Sequence, residues 1–118
     1  MSQYIDGPRK TFDAGGALAQ RILVKLSSGV LAAAGLAEEF IGSIDEAAFA
    51  AGDPRSVTLR NKQGTMLCVA AGAFSAGAVV YGRAAGKVDD IGTSSAIRVG
   101  IALEAATAAD DIVEVLNC

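Results

Sequence analysis

The sequence predicts a mostly β protein: a small single-domain barrel or sandwich with an internal pseudo-duplication and at most short helical turns. Three observations lead to that class. A chain of 118 residues has length enough for one core. Its apolar content is 52%, yet aromatics supply only 5%, so closely approaching backbones must fill the space that bulky side chains leave open. The 14 glycines punctuate apolar runs of strand length, which suits short strands joined by tight turns.

Residues 1–9 lack periodicity and contain Gly7-Pro8, which marks a flexible N-terminal arm ahead of a β-rich domain spanning 10–118. Tyr4 and Ile5 are the large apolar groups there; they fit either a frayed end or an arm that orders on a partner. Beyond Lys10, the run Gln20 to Leu26 ends at Ser27-Ser28-Gly29 and resumes at Val30-Leu31, a hairpin pattern in which Gly29 supplies a positive φ. Glu39 to Asp45 follows as a strand, and Gly52-Asp53-Pro54 as a turn. Ser56 to Arg60 alternates polar and apolar, so Val57 and Leu59 share one face. After a turn at Asn61 to Gly64 come strand-sized runs at Thr65–Ala70, Ala78–Tyr81, Lys87-Val88, Ala96–Leu103 and Ile112–Leu116. Ala32–Glu38 and Glu104–Ala109 are rich in helix formers, but their length allows only a short helical turn.

The second half echoes the first, with repeat-like halves at about 10–61 and 72–117. Phe12-Asp13-Ala14-Gly15 is matched by Phe74-Ser75-Ala76-Gly77, and each precedes an aliphatic strand and a turn carrying Gly29 or Gly86. Ile41-Gly42 matches Val99-Gly100, Glu46-Ala47-Ala48 matches Glu104-Ala105-Ala106, and Ala50-Ala51 matches Ala108-Ala109. A two-residue insertion around Pro54 brings Val57-Thr58-Leu59 onto Val113-Glu114-Val115. Two copies are too few for a solenoid, so a single pseudo-symmetric barrel is expected.

The composition argues against several function classes. There is no His and no Trp, which removes the commonest general base and metal ligand. The acid pairs Glu38-Glu39, Asp89-Asp90 and Asp110-Asp111 read as solvated turns. Asp110-Asp111 with Glu104 lacks the spacing of a calcium loop, and the glycines of 82–86 lack the ending of a phosphate-binding loop. Cys68 reads as a small core residue, with no spacing to Cys118 that suggests a disulfide framework. No enzymatic activity and no cofactor are expected. A net charge of -3 with scattered basic residues argues against direct nucleic-acid binding. No apolar run nears the roughly 20 residues of a membrane span and the N-terminus has no signal-like stretch, so a soluble protein made in a cytoplasm, with no membrane partner, is expected.

The landmarks Gly72 to Tyr81, Gly86-Lys87-Val88, Val99 to Ala106 and Asp111 to Leu116, taken in that order, resemble the C-terminal pattern of the capsid decoration (cement) proteins of tailed bacteriophages. The resemblance covers most of residues 10–117 and is weaker in the first half, where Ala32–Phe40 looks like an insertion. It implies a non-enzymatic, β-rich structural protein on the outer capsid surface of the virion, made in the host cytoplasm. Such a protein binds the major capsid protein and reinforces contacts between its subunits, as a homo-oligomer with a trimer favoured. Candidate contacts with capsid or sister subunits are Tyr4, Ile5 and Arg9 in the arm, Asp53 and Arg55 in one loop, and Asp89 and Asp90 in another. The alternative is a free-standing small-barrel module that binds a peptide, glycan or nucleic acid.

Overall fold

A computed structural model describes residues 9–60, 65–92 and 96–117. The strands are β1 (Arg9–Asp13), β2 (Leu23–Ser27), β3 (Val30–Ala33), β4 (Gly42–Ile44), β5 (Pro54–Leu59), β6 (Thr65–Val69), β7 (Val79–Gly82), β8 (Val88–Asp89), β9 (Arg98–Ala102) and β10 (Ile112–Asn117). They form two five-stranded antiparallel sheets, ordered β1-β5-β4-β2-β3 and β6-β10-β9-β7-β8. The expected mostly β class and the internal duplication are both present: β6 takes the place of β1, β7 of β2, β8 of β3, β9 of β4 and β10 of β5. Each sheet curls until its edges touch at one point, where Ala14 bridges Leu31 in parallel and Ala70 bridges Val88 in the same way. Neither sheet closes into a barrel, and the pair is sandwich-like.

Local chemistry explains the turns. Ser27 pairs with Val30, so the hairpin closes in two residues, Ser28 (φ 54) and Gly29 (φ 84), both left-handed, the backbone that a twisted two-residue hairpin requires. The helical turn among the described residues is a 3-10 turn at Ala84–Gly86, not at either Ala-rich stretch. At Ala32–Glu38 the backbone is diverted by Ala37 at φ 63, and the Glu38 carboxylate takes the Gly35 N–H at 2.6 Å. At Glu104–Ala109 the Ala106 N–H and C=O are both spent on Phe74, which leaves no helical ladder to build.

The register of the duplication differs from the one the sequence suggests. The antiparallel bridge Leu18 to Ala48 recurs as Phe74 to Ala106, so Phe74 stands where Leu18 stands, and Phe12 corresponds to Cys68. Each position asks for an apolar group rather than an aromatic one, which is why matching on Phe misleads. No insertion occurs at Pro54: Gly42 pairs with Leu59 as Gly100 pairs with Asn117, and Val57 answers to Val115. The extra length of the second half lies instead at the Ala84–Gly86 turn and between β8 and β9. The stretch Ala32–Phe40 lines up with the segment after Val88, so it belongs to the repeat. Pro54 opens β5, where the missing N–H is least costly, and β1 begins at Arg9 with a polar sequence that gave no strand signal. The predicted turn at Asn61 to Gly64 and the arm residues Tyr4 and Ile5 lie outside the described residues.

Two clusters hold the fold together. The first contains Ala14, Ile22, Val24, Leu31, Ile44, Ala48 and Val57, with Val69 added from β6. The second is built from β6 to β10, with Leu23, Ala34 and Phe40 of the first half packed into it. Arg60 reinforces the junction: its guanidinium lies 4.2 Å from the Phe40 ring centre and donates to the Arg98 carbonyl oxygen at 3.5 Å. Close backbone approach replaces side-chain bulk in both sheets. A Cβ on Gly42 would sit 2.0 Å from the Thr58 carbonyl oxygen, and one on Gly100 would sit 1.9 Å from that of Leu116.

Candidate interaction surfaces

Of the sequence-predicted contact residues, Asp53 ends the loop between β4 and β5, and Arg55, expected in the same loop, lies in β5. The Asp53 carboxylate accepts the backbone N–H groups of Phe49 and Ala50 at 3.0 and 3.1 Å. Those donors, Phe49 first, hold its carboxyl below the usual aspartate range. Arg55 donates to the Ala47 and Pro54 carbonyl oxygens at 2.9 and 2.7 Å and lies 3.6 Å from Asp53. The pair thus stiffens the loop from within. What the loop presents outward is Phe49, 79% exposed.

The matching loop between β9 and β10 repeats the device. Asp111 accepts from the Thr107 N–H at 2.8 Å, the Thr107 hydroxyl at 2.9 Å and the Ala108 N–H at 3.3 Å, and these lower its pKa. Here the tip residue is Thr107, so the two loops share a frame and differ in what they show. The repeated Glu-Ala-Ala-x-Ala-Ala-x-Asp spelling was visible in the sequence, but the capping role of its aspartate was not.

Arg9 has a different setting. Its Nε lies 3.0 Å from Asp45, which also takes Arg21 at 3.3 Å and the Thr58 hydroxyl at 2.7 Å. Arg9, Arg21 and Thr58 line a cleft of roughly 450 Å³ together with Thr65, Met66, Leu67 and Glu114. Asp45, Arg21 and Thr58 were not singled out in the sequence because they are far apart along the chain; pairing of β1, β5 and β4 gathers Arg9, Asp45 and Thr58, and the Arg21 N–H, donated to the Ile44 carbonyl oxygen at 2.9 Å, brings in Arg21. Asp89 and Asp90 lie on the other sheet, at its β8 edge, where Asp89 accepts the Asp90 N–H at 2.8 Å. The structure therefore unites Asp53 with Arg55 and places Arg9 and Asp89 in separate surroundings.

Two further titratable groups are tied to the fold itself. Glu38 pairs with Lys25 and caps Gly35; the Lys25 bond first, then the Gly35 N–H, lowers its pKa. Cys68 is fully buried, and burial pushes its thiol up to about 12, which denies it the thiolate form that nucleophilic or metal chemistry needs. Among the described residues no group of three or more Cys, Asp or Glu side chains has a metal-binding arrangement. No helix there is long and apolar enough to cross a membrane.

No curated protein matches the chain. A family model described as phage cement protein matches residues 6–116, nearly the whole chain, including the first half where the sequence landmarks are weaker. With two curled sheets of one topology, a body stiffened by capped loops, and that match, the chain belongs to the phage cement protein family, a family of structural proteins of the virion.

Proposed function

We propose that this protein binds the exterior of a phage capsid and reinforces contacts between major capsid subunits, as a homo-oligomer with a trimer as the favoured form. The observation that carries the proposal is the family match over residues 6–116. The rigid body supports it: a clamp must transmit force between the subunits it bridges, and both long loops are pinned by internal aspartates. Binding energy reaches the lattice by mass action, so a modest interface repeated over many copies stabilises the shell.

Within this proposal the segment before β1 is a docking arm, with Tyr4 and Ile5 as its apolar anchors. Arg9, Asp89 and Asp90 supply charge at the rim of the contact. Asp53 and Arg55 act by fixing the loop that carries Phe49. The test is co-sedimentation of the purified protein with expanded capsids that lack it, together with the temperature at which those capsids come apart. Saturable binding and a raised disassembly temperature are expected; absence of binding at micromolar protein overturns the proposal. Removing residues 1–8, which spares β1, should weaken binding, and unchanged binding removes the arm from the contact.

A further inference from the structure

The outer faces of the two sheets differ in chemistry at three corresponding positions. On the first sheet that face carries Ser43, Asp45 and Thr58, and it is covered: Thr58 is 6% exposed and the Asp45 side chain 14%. On the second sheet the counterparts are Ile101, Leu103 and Leu116. Leu103 is 46% exposed and Leu116 is 38% exposed. These side chains adjoin. Leu116 pairs with Ile101, Ile101 pairs with Val79, and the Leu103 N–H donates to the Glu114 carbonyl oxygen at 2.9 Å. Ile112, on the same side of β10 as Leu116, is also exposed. The covered face mixes these polar groups with Leu23, which pairs with Ser43 and is 1% exposed, whereas the open face is apolar around the Glu114 carboxylate, which takes the Thr65 hydroxyl at 2.7 Å; an open face so rich in apolar side chains marks an interaction surface.

The cover on the first sheet meets it at Leu23, the counterpart of Val79, and so shows one way in which such a face is closed. β6 lies against β4, and the Ala84–Gly86 turn meets β2 so closely that a Cβ on Gly86 would sit 2.5 Å from the Leu23 carbonyl oxygen. This contact is one-sided. Gly29, the counterpart of Gly86, has no atom within 4 Å of the position its Cβ would take, and Leu26 beside it is exposed. A contact between unlike surfaces leaves one unused copy of each: here the outer face of the second sheet, and β1 with the Ser28-Gly29 hairpin of the first.

We infer that the face formed by Val79, Ile101, Leu103, Ile112 and Leu116 docks a second copy of this chain, which presents β1 and its Ser28-Gly29 hairpin. The contact continues between chains the arrangement that β6 and the Ala84–Gly86 turn make within one. Such head-to-tail contacts close into a ring when the rotation permits. The inference rests on the homo-oligomer reading above and names the surfaces that build it.

Two variants test it by light scattering and mass photometry. Leu103→Asp with Leu116→Thr installs the first sheet's residues on the exposed face. Leu26→Asp alters the hairpin. Each should fold with an unchanged circular dichroism spectrum and dissociate, with self-association weakened roughly tenfold or more. Mixing the two should restore a two-chain species, because each variant keeps the surface the other has lost; a mixture that stays monomeric overturns the head-to-tail arrangement. A double variant whose mass equals that of the wild type overturns the assignment of this face, including the case in which only capsid co-sedimentation is lost. A wild-type protein that is itself monomeric removes the oligomer reading and this inference with it.

Discussion

Asp53 and Asp111 hold the same post in the two halves of the chain. Each carboxylate reaches back to the N–H groups four and three residues before it, at 3.0 and 3.1 Å for Asp53 and at 2.8 and 3.3 Å for Asp111. Both pKa values are thereby lowered from the ordinary 3.8, chiefly by the Phe49 N–H and the Thr107 N–H respectively. A carboxyl depressed in the folded state adds stability that is complete above its unfolded pKa and lost as pH falls through the folded one. Melting temperature should therefore hold from neutral pH down to about pH 4 and decline below it. The pair Asp53→Asn and Asp111→Asn should melt lower at neutral pH and lose less on acidification. A variant whose acid slope matches the wild type would count against this role.

The glycines of the central strands should be among the least replaceable residues. Gly42→Ala and Gly100→Ala each drive a methyl group onto a carbonyl oxygen of the neighbouring strand, which no rotamer change can relieve. Each should cost roughly 2–3 kcal/mol by urea unfolding. Gly16→Ala, where nothing lies within 4 Å, is the control and should change stability little.

Ser43 offers a gain. Its hydroxyl is buried and finds no hydrogen-bond partner among the described residues. Ser43→Ala should stabilise the protein by about 1 kcal/mol, since an unpaired buried polar group is removed without leaving a large void. Ser43→Ile, which copies Ile101, should destabilise it because the first sheet's face is closed. Chemical denaturation of the two variants reads the opposite signs.

On the proposed function, Phe49→Ala should weaken capsid co-sedimentation by roughly tenfold or more while leaving the melting temperature within a degree or so of wild type, because the ring contributes little to the core. Capsid binding that survives this change would remove Phe49 from the interface.

Cys68 should resist alkylation at pH 8 in the folded protein and react readily in denaturant, a difference that follows from its burial and a thiol pKa of about 12. Mass spectrometry on the Cys118→Ser variant reads this site alone.

The strands from β2 to β10 were legible in the sequence as strand-sized runs, β5 by its polar and apolar alternation, as was the hairpin at Ser28-Gly29. β1 was not, because Arg-Lys-Thr-Phe-Asp has one apolar residue and owes its strand character to pairing with β5. The duplication was legible from Gly42 and Gly100 to Ala51 and Ala109, starting where the same backbone crowding fixes the same residue in both halves, and it slipped after Pro54, where Val57 was set on Val113 instead of Val115. It was misregistered at Phe12, where the packing demands volume and not an aromatic ring. Asp53 and Arg55 were found as residues, but their work inside the loop depends on distances that spacing does not reveal. The cluster of Arg9, Arg21, Asp45 and Thr58 comes from two strands and two loops and leaves no local signature.

The uneven sharing of the two cores bears on how the chain is made. The first cluster draws a single buried residue, Val69, from beyond its own half, whereas the second needs Leu23, Ala34 and Phe40. During synthesis the first half leaves the ribosome with nearly all of its interior in hand and can settle before the rest has emerged. The second half then condenses on a surface already present, so the older copy of the sheet in time acts as a mould for the younger.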